Sequence, residues 1–327
     1  MALTGSVLFV HGVGGPAPGW DEALADAIAR AGGDVSDVGF HTLRYDDILA
    51  DGTGAALDVQ FPLAPQQMLD LGKRQGEGGE VQPTHLTRRQ LQDVVADSVS
   101  APEGTDGARR VRLPIPVPGD VVARIPFAGM PHAAAYRWDE HRRSAARRRV
   151  VDAIVRADAM KTAPTHRIGG GATEPYEVTE SGVSAPIVVI AHSLGSVVTV
   201  DALLAHGVSV DLLVTIGSPI GVDRVWCQEW ERDGVAGGGD IGDGPGRVTG
   251  ETPPEKMVAR LIPAWLNVVN TRDAIPWGRG VQPRFPQAVD AFITSGRMMM
   301  GPGGAHDPQV YNRSTVVSTA VALALAN

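Results

Sequence analysis

Ile187-Val188-Val189-Ile190-Ala191-His192-Ser193-Leu194-Gly195-Ser196 is the stretch on which the reading of this chain turns. An aliphatic, β-branched run with no polar alternation predicts a strand buried on both faces, as in a parallel sheet. It passes without a spacer into Ala191-His192-Ser193-Leu194-Gly195. A helical pattern follows from Gly195 to His206 and stops at Gly207. A serine at a tight strand-to-helix turn projects its hydroxyl above the edge of the sheet. Small residues two before and two after it, Ala191 and Gly195, let neighbouring chain pass close. The helix N-terminus then points at the serine, which favours negative charge developing there. The five residues alone are a weak signal; the strand before and the helix after make it much stronger.

Outward from this stretch, strands and helices alternate. Ser6 to Val10 reads as a buried strand that stops at His11-Gly12-Val13-Gly14-Gly15. From Trp20 to Ala31, the residues Ala23, Leu24, Ala27, Ile28 and Ala31 recur at helical spacing, with Asp21 and Glu22 in the first turn and Gly32-Gly33 at the stop. Residues 38–45 read as a second strand. Asp211 to Gly217, Trp265 to Asn270 and Val289 to Thr294 supply further strands, and Val316 to Ala326 a final helix. This βαβ alternation predicts the α/β class: a mainly parallel sheet of about six strands with helices on both faces. No fixed-period repeat is visible.

The middle breaks the rhythm. Residues 50–165 read as an insertion within a single 1–327 domain. Leu86 to Val99 has a helical pattern. Pro114, Pro116 and Pro118 exclude a central strand. The apolar content of 111–131 argues against full disorder and points to a lid over the core. His141 to Met160 is a helix with an apolar stripe of Ala145, Val150, Val151, Ile154 and Val155. Its cluster of Arg142, Arg143, Arg147, Arg148 and Arg149 reads as a solvated face. Residues 161–185 and 234–250 read as loops.

The elbow motif resembles the α/β-hydrolase superfamily, in its lipase and esterase branch. Ala-His-Ser-x-Gly is similar to the motif of small bacterial lipases. The resemblance covers roughly 1–45 and 185–327. It implies a nucleophile, Ser193, followed in chain order by an acid and then a histidine base. Only His206 and His306 follow Ser193. His206 lies too far along its helix, which leaves His306 in Gly303-Gly304-Ala305-His306-Asp307. For the acid, Asp273 in Asn270-Thr271-Arg272-Asp273-Ala274-Ile275-Pro276 follows the strand WLNVVN and matches a D-x-[IV]-P pattern of lipase-like enzymes. Asp223, Asp290 and Asp307 compete with it. Asp307 adjoins His306, where pairing is rare; Asp290 starts or precedes a strand, at the wrong end.

The resemblance also implies an oxyanion hole, with backbone N–H groups of Leu194 and Val13 aimed at the developing charge. His11, Gly12, Gly14, His192, Ser218 and Pro219 become candidate substrate-binding positions. His192 is held on the elbow itself, which counts against it as the base. Read as a phosphate cradle, Gly12 to Gly15 is weaker: no G-K-[ST] is present and G-x-G-x-x-G is not matched.

The composition narrows the classes. With 43% hydrophobic residues in 327, the chain can bury a full core. A formal net charge of −8 argues against a nucleic-acid partner. The one cysteine, Cys227, allows no intramolecular disulfide or cysteine metal cluster. No H-E-x-x-H occurs, so no metal or cofactor is expected. Residues 1–10 have no basic n-region and read as a core strand rather than a secretory signal, giving the expectation of a soluble cytoplasmic protein. Met298 to Met300 read as pocket lining or packing. The expected chemistry is cleavage of a small ester or lipid through an acyl-enzyme on Ser193, with transient contact at a membrane surface. The same triad serves acyl transfer or thioester hydrolysis, and a degenerate site would leave a binding or signalling module.

Overall fold

A computed structural model describes residues 1–12, 18–49, 86–100, 131–160, 185–221, 254–276, 278–283, 285–297 and 303–326. Six strands form one sheet: β1 (Ala2–Val10), β2 (Asp34–Leu43), β3 (Ile187–His192), β4 (Leu212–Ile216), β5 (Trp265–Asn270) and β6 (Ala288–Ile293). Their order is β2-β1-β3-β4-β5-β6 and every pair is parallel. β1 and β2 start earlier than the apolar runs predict, at Ala2 and Asp34. Their first residues pair with each other, Ala2 with Asp34 and Thr4 with Asp37, so the partner strand extends them beyond their hydrophobic cores.

The central strands β3, β4 and β5 are buried along their whole length because helices cover both faces. On one face, Val7, Phe9, Val188, Ile190, Val214 and Val268 pack with α1 (Trp20–Arg30), α3 (Arg88–Ser100) and α9 (Thr315–Leu325). On the other, Leu8, Val10, Val189, Ala191 and Leu213 pack with α5 (Glu140–Met160), α6 (Leu194–His206) and α7 (Pro254–Leu261). Among the described residues there are three further short helices, α2 (Asp46–Leu49), α4 (Pro131–Trp138) and α8 (Pro308–Asn312), and a 3-10 turn at Pro219–Gly221. None of the described helices is long and apolar enough to cross a membrane. The apolar C-terminal stretch is α9, which buries Val316, Val317, Ala320 and Val321.

Three expectations need adjustment. Helix α5 lies inside the stretch read as an insertion, yet its stripe of Ala146, Val150, Val151, Ile154 and Val155 is a layer of the main core. Its arginines are not a bare solvated face either. Arg147 Nε donates to Asp201 Oδ2 at 2.8 Å, and Arg149 Nη1 reaches Asp47 Oδ1 at 2.6 Å. Asp290, in turn, sits inside β6 rather than at its start. It closes a polar rung across three strands in register: Thr215 Oγ1 donates to Asn267 Oδ1, and Asn267 Nδ2 donates to Asp290 Oδ1, each at 2.8 Å. The Val281 and Gln282 N–H groups also bind Asp290, each at 2.9 Å.

The order of strands decides where a ligand can sit. From β1 the chain crosses to β2 on one side; from β2 it returns past β1 to β3 on the other. The connections leave β1 and β3 in opposite directions, so a crevice opens beyond their carboxyl ends. His11-Gly12 follow β1 and Ser193 follows β3, at that crevice. Val13, Gly14, the apolar run up to 130, Cys227, Met298 to Met300, residues 161–184 of the expected 161–185 loop and the expected loop 234–250 lie outside the described residues.

Candidate active site

Ser193 is built by the clash of two local demands. β3 must end and α6 must begin within one residue, and the backbone between them takes φ 53° and ψ −129°. Among the described residues it is the only non-glycine with positive φ. Such a conformation costs about 1–3 kcal/mol and persists only where its surroundings hold it. Three bonds do so. The Ser193 N–H donates to the Ile216 carbonyl at 3.0 Å, and the Ser193 carbonyl accepts from the Ser196 hydroxyl at 2.6 Å and the Ser196 N–H at 3.0 Å. The Ser196 and Ser218 hydroxyls are 2.7 Å apart.

The small residues around the serine are required by close approach. A Cβ at Gly195 would stand against the carbonyl oxygens of Val10 and His11, where the end of β1 crosses the start of α6. A Cβ at Gly12 would lie 2.6 Å from Ser193 Cβ and 3.2 Å from Ser193 Oγ. Gly12 therefore walls the hydroxyl at van der Waals range. Leu194 opens α6, so its N–H belongs to the first turn, where backbone donors lack intrahelical partners.

Asp273 and His306 arrive from two different loops. Asp273 follows β5 in a turn that its own backbone closes, N–H to the Asn270 carbonyl at 3.0 Å. His306 precedes α8 in a loop turned by Gly296 and Gly303, both at positive φ. His306 Nδ1 donates to Asp273 Oδ2 at 2.6 Å, and the Asp273 side chain is fully buried. Asp273 Oδ1 accepts the Ile275 N–H at 2.8 Å, and Tyr311 Oη donates to Oδ2 at 2.6 Å. The pair lies over Gly217, where a Cβ would be 3.0 Å from Asp273 Oδ2 and from His306 Nδ1. Gly217 directly follows Ile216, whose carbonyl holds Ser193. Asp307 is occupied elsewhere: it caps α8 through the Gln309 N–H at 2.9 Å and binds the Gly303 N–H at 2.6 Å.

His192 links the serine to the histidine. Its ring lies 4.5 Å from the His306 ring, and its Nε2 donates to the His306 carbonyl at 2.9 Å. A carbonyl only accepts, so the proton of neutral His192 is on Nε2. Burial pushes His192 well below the usual histidine range, and His306 beside it pushes the same way. Among the described residues no hydrogen bond joins the Ser193 hydroxyl to His306.

The remaining candidates are placed as follows. His11 is 1% exposed; its Nδ1 donates to the Gly12 carbonyl, its ring stacks 5.1 Å from Tyr45, and its Nε2 is 3.3 Å from Asp46 Oδ1. Burial lowers its proton affinity. The side chain thus faces protein rather than the crevice. Ser218 and Pro219 are buried behind the elbow, and Ser218 Oγ also accepts the Ile220 N–H at 3.3 Å. His206 sits at the far end of α6.

Sequence reasoning missed Tyr311, Ser196 and Asn270. Asn270 Nδ2 donates to the Ala305 carbonyl at 2.9 Å and the Ser295 carbonyl at 2.8 Å, clasping the loop that carries His306. No group of three potential ligands able to hold a metal occurs among the described residues. A surface hollow of about 320 Å³ between α1 and α8, lined by Glu22, Asp26, Arg30 and Gln309, contains none of the candidate residues. No family model, no curated protein and no solved structure matches the chain.

Proposed function

We propose that this chain is a serine hydrolase of carboxylic esters on an α/β-hydrolase type of sheet, with Ser193 as nucleophile, His306 as base and Asp273 as its orienting acid. The observation that carries the reading is the backbone of Ser193, strained at the carboxyl edge of a parallel sheet with an Asp–His pair beside it. A strained serine needs a reason, and exposure of a reacting hydroxyl is one. Ser193 Oγ attacks the ester carbonyl while His306 takes its proton at Nε2. Asp273 fixes the tautomer through Nδ1 and stabilises the imidazolium. The Leu194 N–H at the head of α6 receives the developing oxyanion. His306 returns its proton to the departing alkoxide, then activates a water that releases the acid.

Hydrolysis of p-nitrophenyl esters from two to sixteen carbons, on wild type and Ser193→Ala in parallel, tests this. Loss of at least about a thousandfold in kcat/KM is expected in the variant. Ester hydrolysis that survives in Ser193→Ala overturns the reading. The chain-length optimum separates esterase from lipase, and an ester product formed with added alcohol moves the activity to acyl transfer.

A further inference from the structure

The phenol of Tyr311 enters the Asp273–His306 pair from behind. Its Oη donates at 2.6 Å to Asp273 Oδ2, the same oxygen that accepts from His306 Nδ1 at 2.6 Å. The ring is fully buried, and the phenol oxygen accepts the Asn270 N–H at 3.4 Å. Burial, with the Asp273 charge adding to it, pushes the Tyr311 phenol well above the ordinary tyrosine range. It is therefore a proton donor across the physiological range. Asp273 Oδ1 is already taken by the Ile275 N–H.

An anionic oxygen that receives two short hydrogen bonds divides its charge between them. What the phenol draws is withheld from the imidazolium. We propose that Tyr311 is a positioning residue that sets the basicity of His306 by taking part of the charge of Asp273 Oδ2. Its consequence for turnover rests on the serine-hydrolase reading; the hydrogen bonds themselves do not. The other titratable groups facing the pair are His192, which holds the His306 carbonyl, and His11 behind it. Burial lowers the proton affinity of both. The Asp307 carboxylate is turned to backbone N–H groups and does not compete.

The test is an NMR titration of histidine-labelled protein, with the His306 signal assigned through His306→Gln. In Tyr311→Phe the midpoint of the His306 titration rises by about half to one pH unit, a fraction of the roughly one to two units that a full hydrogen bond to a charged group is worth, because the phenol draws only part of the charge. A fluorinated tyrosine at position 311, a stronger donor of nearly the same shape, moves it downward. The acid limb of kcat/KM for p-nitrophenyl acetate follows both shifts. A purely structural Tyr311 would lower the plateau and leave the midpoint in place, and an unmoved midpoint in folded Tyr311→Phe overturns the proposal. Should that variant fail to fold, the fluorinated protein decides in the same way. Shifted midpoints in a protein that hydrolyses no ester uphold Tyr311 and overturn the hydrolase; hydrolysis with unmoved midpoints does the reverse.

Discussion

Gly195 shows how one missing methyl group can carry a site. Its backbone lies against the Val10 and His11 carbonyls, so β1 can reach the serine only if no side chain intervenes. Gly195→Ala should destabilise the protein by about 1–3 kcal/mol, the usual result of forcing an atom into packed structure. Urea unfolding measures it; a loss below experimental error would mean that β1 moves freely, against its pairing with β3. That constraint was legible in the sequence, because the serine and its small neighbours sit within five residues of one another. Asp273 and His306 were legible too, through their place after strands together with the chain order that the resemblance to lipase-like hydrolases implies. Tyr311 and Asn270 were not. A tyrosine in a short helix and an asparagine ending a strand carry no local mark of a partner more than thirty residues away. Ser196 reads as an ordinary first-turn serine until its hydroxyl is seen on the Ser193 carbonyl.

Among the elements, α5 is the one whose sequence misleads. Its spacing announces a helix and an apolar stripe, and both are present. The arginines on its other side look solvated, because their anion comes from a different helix. Asp201 of α6 is 6% exposed, and its Oδ2 receives Tyr136 Oη at 2.5 Å as well as Arg147 Nε. Asp201→Ala would leave the Arg147 guanidinium, 14% exposed, without that carboxylate. Breaking one side of a buried pair typically costs about 3–5 kcal/mol, whereas a solvated pair is worth less than about 1 kcal/mol. Urea unfolding of the variant at neutral pH distinguishes them, and a change under about 1 kcal/mol restores the solvated reading. The short helices α2, α4, α7 and α8 escaped notice for a simpler reason: four to eight residues give too few turns for a period to emerge.

For the molecule as a whole, the alternation of strands and helices was enough to predict the layered parallel sheet. The strand order was not, since nothing local says that β3 pairs with β1 rather than with β2. That order gathers His11, His192 and His306 at one edge, and it has an acid-stability consequence. His192 and His11 are held below the ordinary histidine value in the folded chain, chiefly by burial. Below about pH 6.5 the unfolded imidazoles bind protons that the folded ones refuse, so acid favours unfolding until the lowered native values are reached. A histidine that stays neutral while folded removes at most about 1.4 kcal/mol of stability between about pH 7.5 and 5.5, and His192, which burial pushes furthest down, comes nearer that bound than His11. His192→Gln should lose correspondingly less than wild type over the same interval. Equal losses in urea melts of the two proteins would show that His192 protonates freely while folded.

One of the three bonds that hold Ser193, the one to Ile216, sets a timetable for synthesis. β1 emerges from the ribosome early, but the partner on its inner side is β3, which begins only at Ile187. The bond that pins the strained serine comes later still, from Ile216 of β4. Its partner loops follow after β5 and β6. A nascent chain arrested before β4 has the serine and its Ser196 bonds but not the Ile216 carbonyl, so the full set of restraints on the strained serine waits until most of the polypeptide has been made.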